Sequence, residues 1–191
     1  MVEQAQKVDD GATALDASAA ETPELRKLLG DLSGELRRAE SVRDALTAVD
    51  TAERKVESLE ARTARDALDA MRAAGLGALA QSLEDGDALA AQQALEAGET
   101  KELLADAAAK ASDQTAAQQL SQAAQALASG ETQQALSALQ AAASGETASS
   151  AQALALTGMV RGAAARTGAQ TAQGTIASLA GSGAGQQGVS D

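Results

Sequence analysis

The chain has no Phe, Tyr, Trp, His or Cys among its 191 residues. The missing side chains include the bulky anchors of most protein cores and the groups most used for nucleophilic, metal-assisted and proton-shuttling chemistry. Catalysis would have to rely on Asp, Glu, Lys, Arg, Ser and Thr, and small neighbouring side chains offer little burial to shift their pKa values. We therefore expect no enzyme activity, no catalytic residues, no cofactor site and no metal site.

Alanine dominates the apolar residues: 51 residues are Ala, whereas 31 are Leu, Ile or Val. Ala is the best helix former but buries little area, and a single Ile without aromatic residues leaves β-strands short of their preferred side chains. With a net charge of −12, this aliphatic content lies on the disordered side of the compositional boundary. These features predict an all-α fold of short antiparallel helical hairpins, bundle-like or in a repeat array, with disordered N- and C-terminal tails.

The distribution of charge and glycine divides the chain into four segments. Before residue 22 one Lys stands against five acids, the next segment interleaves ten basic with eleven acidic residues, and the third has two Lys and ten acids. Eight of the 17 Gly fall after residue 157. We predict a disordered acidic tail at 1–21, charged amphipathic helices at 22–74, Ala- and Gln-rich helical hairpin repeats at 75–147, and a weakly helical to disordered tail at 148–191, with helix continuing to about Ala165.

Helix starts are marked by capping sequences. Thr22-Pro23-Glu24 combines a capping hydroxyl, a preset proline φ and an acid at the positive end of the helix dipole. Ser41 with Asp44 predicts a capping box and a second helix, and Thr63 with Asp66 predicts another start. A leucine stripe at helical spacing follows the first start: Leu25, Leu28, Leu29, Leu32 and Leu36.

The second predicted helix carries a short heptad seam. Its members are Val42, Ala45, Val49, Ala52, Val56 and Leu59. Such a seam serves either an intermolecular coiled coil or an intramolecular antiparallel hairpin, and we favour the hairpin. Farther along, Arg62 with Asp66 and Arg65 with Asp69 have the i, i+4 spacing of ion pairs on a solvated helical face.

An internal repeat relates two segments 44 residues apart. Leu76–Ala97 matches Leu120–Ala141 at ten positions, among them three Leu pairs and one Gly pair. Each copy predicts a helix that ends at a glycine, followed by a second helix with an acidic residue near its N-terminus. We place the hairpins at Leu76–Glu96 and Gln114–Ala143, with a linking helix at Lys101–Ala111. Two copies are too few for a free-standing solenoid, so neighbouring helices or another subunit must cover the seams.

The tripeptide Gly-Glu-Thr occurs at 98–100, 130–132 and 145–147. We interpret it as a boundary between two helices, because glycine can end one helix in the left-handed conformation and threonine can cap the next. The alternative is a recognition motif for an outside partner.

Two glycine patterns have the spacing of functional motifs but lack the neighbouring sequence that those motifs require. Gly183, Gly185 and Gly188 have the spacing of a dinucleotide-binding fingerprint, but no predicted strand precedes them. Gly158 and Gly162 have a helix-packing spacing, but the run of about 20 apolar residues that spans a bilayer is missing around them. We assign no site to either pattern.

A calcium-loop pattern is also incomplete. Asp85, Asp87 and Glu96 occupy its first, third and twelfth positions, but Leu89 stands at the fifth position and Ala90 replaces the required glycine. We therefore expect no calcium site.

The charge pattern and the first twenty residues indicate which kinds of partner and cellular location to expect. Acids alternate with the basic residues from Arg26 to Arg43, and no aromatic side chain can stack on bases, so we expect no nucleic-acid partner. Met1–Ala20 contains four acids and no apolar run, so we recognise no signal peptide, and no transmembrane helix is predicted elsewhere. Localisation stays open, and peripheral membrane contact is possible through the Ala-rich segment around Leu154–Leu179.

Uncovered Leu and Val seams and the repeat favour a non-catalytic helical interaction or assembly protein, scaffold-like, that acts through helix–helix contacts with a protein partner or by self-association. One alternative is a largely disordered hydrophilic chain, similar in composition to stress-protection proteins, that folds on contact or drying. A second is a protein whose helices lie on a membrane surface. The residues expected at packed seams are Leu28, Leu32, Val49, Val56, Leu68, Leu76, Leu83, Leu95, Leu120, Leu127 and Leu139.

Overall fold

A computed structural model describes residues 5–10, 23–96 and 99–183, with side chains described as far as residue 170. The secondary structure of these residues is helical, without strands, so the predicted all-α class is confirmed. The helices with described bounds are α1 (Pro23–Arg38), α2 (Val42–Ala73), α3 (Gly77–Glu84), α4 (Ala88–Leu95), α5 (Thr100–Lys110), α6 (Gln114–Ala128), α7 (Thr132–Ser144) and α8 (Ala148–Gly183).

Helix α2 begins at the predicted capping box. Ser41 Oγ accepts a hydrogen bond from the Asp44 backbone N–H at 3.1 Å, and Asp44 Oδ2 accepts one from the Ser41 backbone N–H at 3.0 Å. The helix then continues through Thr63, so the further start predicted there was wrong. No Gly or Pro interrupts residues 42–73, and the Thr63 side chain is buried against neighbouring helices rather than free to cap.

Two apolar clusters stabilise the fold, and α2 contributes to both. The first, which we call the proximal core, joins the leucine stripe of α1 to Val49 and Val56 of α2 and Val160 of α8. The second, the repeat core, joins the end of α2 to α3–α7. Its fully buried large side chains are Met71, Leu79, Leu104, Leu120 and Leu139.

The heptad seam of α2 is covered by helices of the same chain. Its four central members are buried, and α2 contacts both α1 and α8. Val42 and Leu59, at the ends of the seam, are half-buried. This arrangement agrees with the intramolecular alternative, although two helices rather than one hairpin partner cover the seam.

The residues expected at packed seams are largely inside. Nine of the eleven are buried. Leu83 and Leu127 are half-buried and pack against the repeat core from its edge. The helical periodicity of leucine therefore located the core correctly, and the degree of burial varies at its margin.

The two segments related by the repeat close their turns in the same way. Helix α3 contacts α4, and α6 contacts α7. Gly86 and Gly130 have φ values of 72° and 77°. The next backbone N–H donates to a carbonyl five residues earlier, Asp87 to Ser82 and Glu131 to Ala126, at 2.8 Å in both turns. These bonds close a Schellman motif. Between the two segments, α5 occupies the region predicted for a linking helix.

The Gly-Glu-Thr tripeptide caps a helix with its threonine at one of three places. Thr147 Oγ1 accepts from the Ser150 backbone N–H at 2.9 Å, and Ser150 Oγ accepts from the Thr147 backbone N–H at 3.0 Å. Thr100 and Thr132 are instead the first residues of α5 and α7, preceded by glutamates without a side-chain cap bond. The prediction was wrong there because Glu99 and Glu131 occupy the cap positions, so each threonine already lies inside its helix.

The predicted acidic tail is partly described. Residues 5–10 form a helical segment that the sequence pattern does not predict, and Ala5 and Val8 are fully buried in the proximal core. An ion pair between Arg37 and Asp9 holds this segment beside α1. The rest of 1–21 lies outside the described residues.

Helix α8 extends beyond the predicted continuation to Ala165, since it ends at Gly183. Ala and Gln favour helix over this length, and α8 packs on α2 and α1. Gly183 therefore lies in a helix rather than in a phosphate-binding loop. Gly185 and Gly188 lie in 184–191, outside the described residues.

Candidate functional site

Polar side chains converge where α2 passes between the two cores. The last buried proximal-core residue on α2 is Val56, with half-buried Leu59 one turn farther on at the edge of that core, and the first repeat-core residue is Ala67. Val56 and Ala67 are separated by about three helical turns, or roughly 16 Å. The side chains gathered in this interval, which we call the Arg62 junction, are Glu24, Arg62, Asp66 and Asp113.

Arg62 joins two elements that are distant in the sequence. Its Nη2 donates a hydrogen bond to Oε2 of Glu24, in the first turn of α1. The same Nη2 lies 3.8 Å from Oδ2 of Asp113, in the turn between α5 and α6. The spacing of Arg62 and Asp66 predicted a local pair, but the direct partner of Arg62 is the carboxylate 38 residues earlier.

Asp113 is a nearly enclosed charge of the junction, with its side chain 11% exposed. Its Oδ1 accepts from the backbone N–H groups of Thr115 at 2.9 Å and Ala116 at 3.2 Å, which caps α6. Its own backbone N–H donates to Asp66 Oδ2 at 2.8 Å. The junction therefore fixes the start of α6 against α2.

The electrostatics of the junction keep Arg62 charged. The hydrogen bond and charge of Glu24 raise the pKa of the Arg62 guanidinium, burial opposes them with a smaller effect, and Asp113 and Asp66 add increases that are smaller still. The stability linked to this shift is fully present below the ordinary arginine pKa and is lost only when pH rises through the raised value. Arg62 consequently serves as a permanent cation and offers no proton for acid–base catalysis.

A small cavity lies beside the junction. Its volume is about 30 Å³, which holds on the order of one water molecule and is far below the volume of a substrate pocket. The hydroxyl-bearing side chains in its lining are Thr63, Thr115, Thr147, Ser149 and Ser150. The polar groups suit a buried water better than a reaction.

The cavity is bounded by a turn that touches the α2 backbone. A Cβ at Gly145 would lie 1.9 Å from the Glu60 carbonyl oxygen. Beside it, Gln119 Nε2 donates to the Glu146 carbonyl at 2.9 Å, and Gln119 Oε1 is buried without a hydrogen-bond partner among the described residues. The α7–α8 turn is thus held against both α2 and α6.

The larger openings are grooves between helices. One of about 320 Å³, which we call the α1–α2 groove, has Leu28 and Leu59 in its lining together with exposed Lys27, Lys55 and Asp31. Neither lysine forms an ion pair with another described residue. A second groove, of about 420 Å³, lies near the start of α2 and is lined mainly by polar and charged side chains.

The incomplete calcium pattern marks the ends of helices. Asp85 follows α3 and accepts from Gln81 Nε2 at 3.0 Å, whereas Asp87 caps α4 through the Ala90 backbone N–H at 3.0 Å. Within the part of the chain that the structure describes, no three acidic side chains are grouped as metal ligands. No described helix has the length and apolar character needed to cross a bilayer.

The contacts of the Arg62 junction could not be predicted from the spacing of charged residues along α2. The second predicted pair on this face also differs, because Asp69 lies 3.1 Å from Arg72, which also reaches Glu84 at 2.5 Å. The signals that do exist are the acid in the first turn of α1 and the capping aspartate before α6, each of which is explained fully by its own helix. Their convergence on Arg62 depends on how the helices pack.

Comparisons of this chain with protein-family models, with curated proteins and with solved structures give no match. Its function is therefore argued from its own residues.

Proposed function

We propose that this protein is a non-catalytic helical assembly protein that associates with further copies of itself through helix–helix contacts. The α1–α2 groove is the observation that carries the proposal. It is an open channel between two packed helices, lined by buried Leu28, half-buried Leu59 and six polar or charged side chains. Two of these, Lys27 and Lys55, form no ion pair with a described residue. A groove of this kind accepts the side chains of another helix.

Charge indicates which helix fits the groove. Glu24 is paired with Arg62, so Lys27 and Lys55 outnumber the remaining acid, Asp31. The segment 75–147 carries two Lys against ten acids. A second copy of this chain thus presents an acidic helical surface complementary to the lysines, and the pairing of two different surfaces permits ordered assemblies of several copies.

Sedimentation velocity over a range of protein concentrations tests the proposal. Because each copy carries −12, long-range repulsion opposes association at low ionic strength. The measurement is best made at about 0.15 M salt, where the Debye length is about 8 Å. We expect a weight-average sedimentation coefficient that rises with concentration. A single monomer species at every concentration would contradict the proposal.

A matched pair of charge reversals locates the surface. Lys55→Glu and Lys101→Glu change the net charge equally, but Lys55 borders the groove and Lys101 is exposed at the start of α5. We expect Lys55→Glu to weaken association by about fivefold or more, and Lys101→Glu not to weaken it. Equal weakening by both substitutions would indicate a general charge effect and contradict the role of the groove.

The low aliphatic content, 31 of 191 residues, favours one second candidate: a largely disordered hydrophilic chain that folds on contact or drying. Far-UV circular dichroism in plain buffer distinguishes the candidates. Strong helicity at micromolar concentration supports the assembly protein, whereas a coil spectrum that turns helical in alcohol supports the second candidate.

A further inference from the structure

The two cores are joined by polar rather than apolar contacts along α2. Half-buried Leu59 packs against the proximal core, but between Leu59 and Ala67 no α2 residue belongs to either apolar cluster, and the buried residue there is Thr63. Hydrophobic burial therefore stabilises each core separately at this level of the molecule.

Arg62 bridges this interval. Arg62 bonds to Glu24, which lies in the first turn of α1 and so belongs to the proximal side. It also attracts Asp113, which caps α6 on the repeat side. Since Asp113 is nearly enclosed, its attraction to Arg62 is screened by salt less than an exposed pair would be.

We infer that Arg62 is an ionic clasp that couples the opening of the repeat core to that of the proximal core. With the clasp intact, Arg62 of α2 contacts Glu24 of α1 on one side and Asp113 at the start of α6 on the other. The start of α6 is thereby linked to α1 through Arg62. Without the clasp, the start of α6 keeps its bonds to α2 and to the α7–α8 turn but opens more often while the proximal core stays closed. This inference concerns the single chain and does not depend on self-association.

Native-state hydrogen exchange of the full chain tests the clasp. We expect Glu24→Gln to raise exchange at the Thr115 and Ala116 amides by up to about fivefold, the range of an ion pair at a protein surface, while exchange in the second half of α1 is unchanged. Arg62→Met, which keeps an unbranched apolar stem, should give the same pattern.

Arg161→Met is the matched control. Arg161 pairs with Asp50 at 2.5 Å and with Glu53, both on α2, so it ties α8 to α2 within the proximal side alone. We expect this variant to leave the Thr115 and Ala116 amides unchanged. Unchanged exchange at these amides in Glu24→Gln would overturn the inference. Equal increases in α1 and α6, or the same α6 increase in Arg161→Met, would also overturn it.

Discussion

Gly145 shows how much one residue without a side chain contributes to this fold. It ends α7 with a φ of 69°, in the left-handed region. A Cβ there would also overlap the Glu60 carbonyl oxygen, a backbone atom that cannot rotate away. Two independent requirements therefore favour glycine at this position, and together they let the α7–α8 turn lie against α2.

We expect Gly145→Ala to lower the free energy of unfolding by about 3 kcal/mol or more, because backbone strain and steric overlap add. Gly130→Ala is the matched control: Gly130 has a φ of 77° but nothing within 4 Å of its Cβ position. That substitution should cost about 1 kcal/mol, for strain alone. Urea unfolding followed by circular dichroism measures both. Equal losses would mean that the turn is not pressed against α2.

The starts of α2 and α8 are set by side chains within one helical turn of each other. The capping box before α2 and the Thr147–Ser150 pair before α8 each satisfy backbone N–H groups that have no partner within the helix. Thr132 heads α7 without such a bond, because the preceding Glu131 occupies the cap position. Identical tripeptides therefore play different roles according to which of their residues occupies the cap position.

We expect Thr147→Ala to lower the free energy of unfolding by about 1 kcal/mol and to speed hydrogen exchange at the Ser150 amide, which loses its acceptor. The matched substitution Thr132→Ala should change stability by less than about 0.5 kcal/mol, since Ala is the better helix former and no cap is lost. Similar losses from both variants would count against a capping role that is specific to Thr147.

At the scale of the whole molecule, the stability rests on a sparse set of aliphatic side chains embedded among alanines. Leu120 is fully buried in the repeat core. Leu127, which corresponds to Leu83 in the first repeat segment, is half-buried at the edge of that core. Alanine neighbours bury little area of their own, so each central leucine carries a large share of the apolar burial.

Leu120→Ala should therefore lower the free energy of unfolding by about 2–5 kcal/mol, as for a well-buried leucine, and Leu127→Ala by less than about 2 kcal/mol. Urea unfolding measures the difference. A larger loss for Leu127→Ala than for Leu120→Ala would show that the second repeat segment packs more densely at its edge than at its centre.

Much of the fold follows from local sequence. The helical class, the start of α2 at Ser41, the turns at Gly86 and Gly130 and the burial of the leucine stripe were all predictable. Each depends on residues within one or two turns of one another, through propensity, capping and the freedom of glycine to adopt positive φ. The candidate groove was not predictable, although the leucine stripe that borders it was.

Other features were decided by tertiary packing. The covering of the heptad seam by two helices, the burial of residues 5–10, the partners of Arg62 and the approach of Gly145 to Glu60 join segments that are far apart in the chain. The local sequence around each of these residues is compatible with a helix or tail on its own. It therefore does not indicate which distant residue will be the partner. The free energy of burying apolar surface and of pairing opposite charges selects among those partners, and it arises only once the helices pack together.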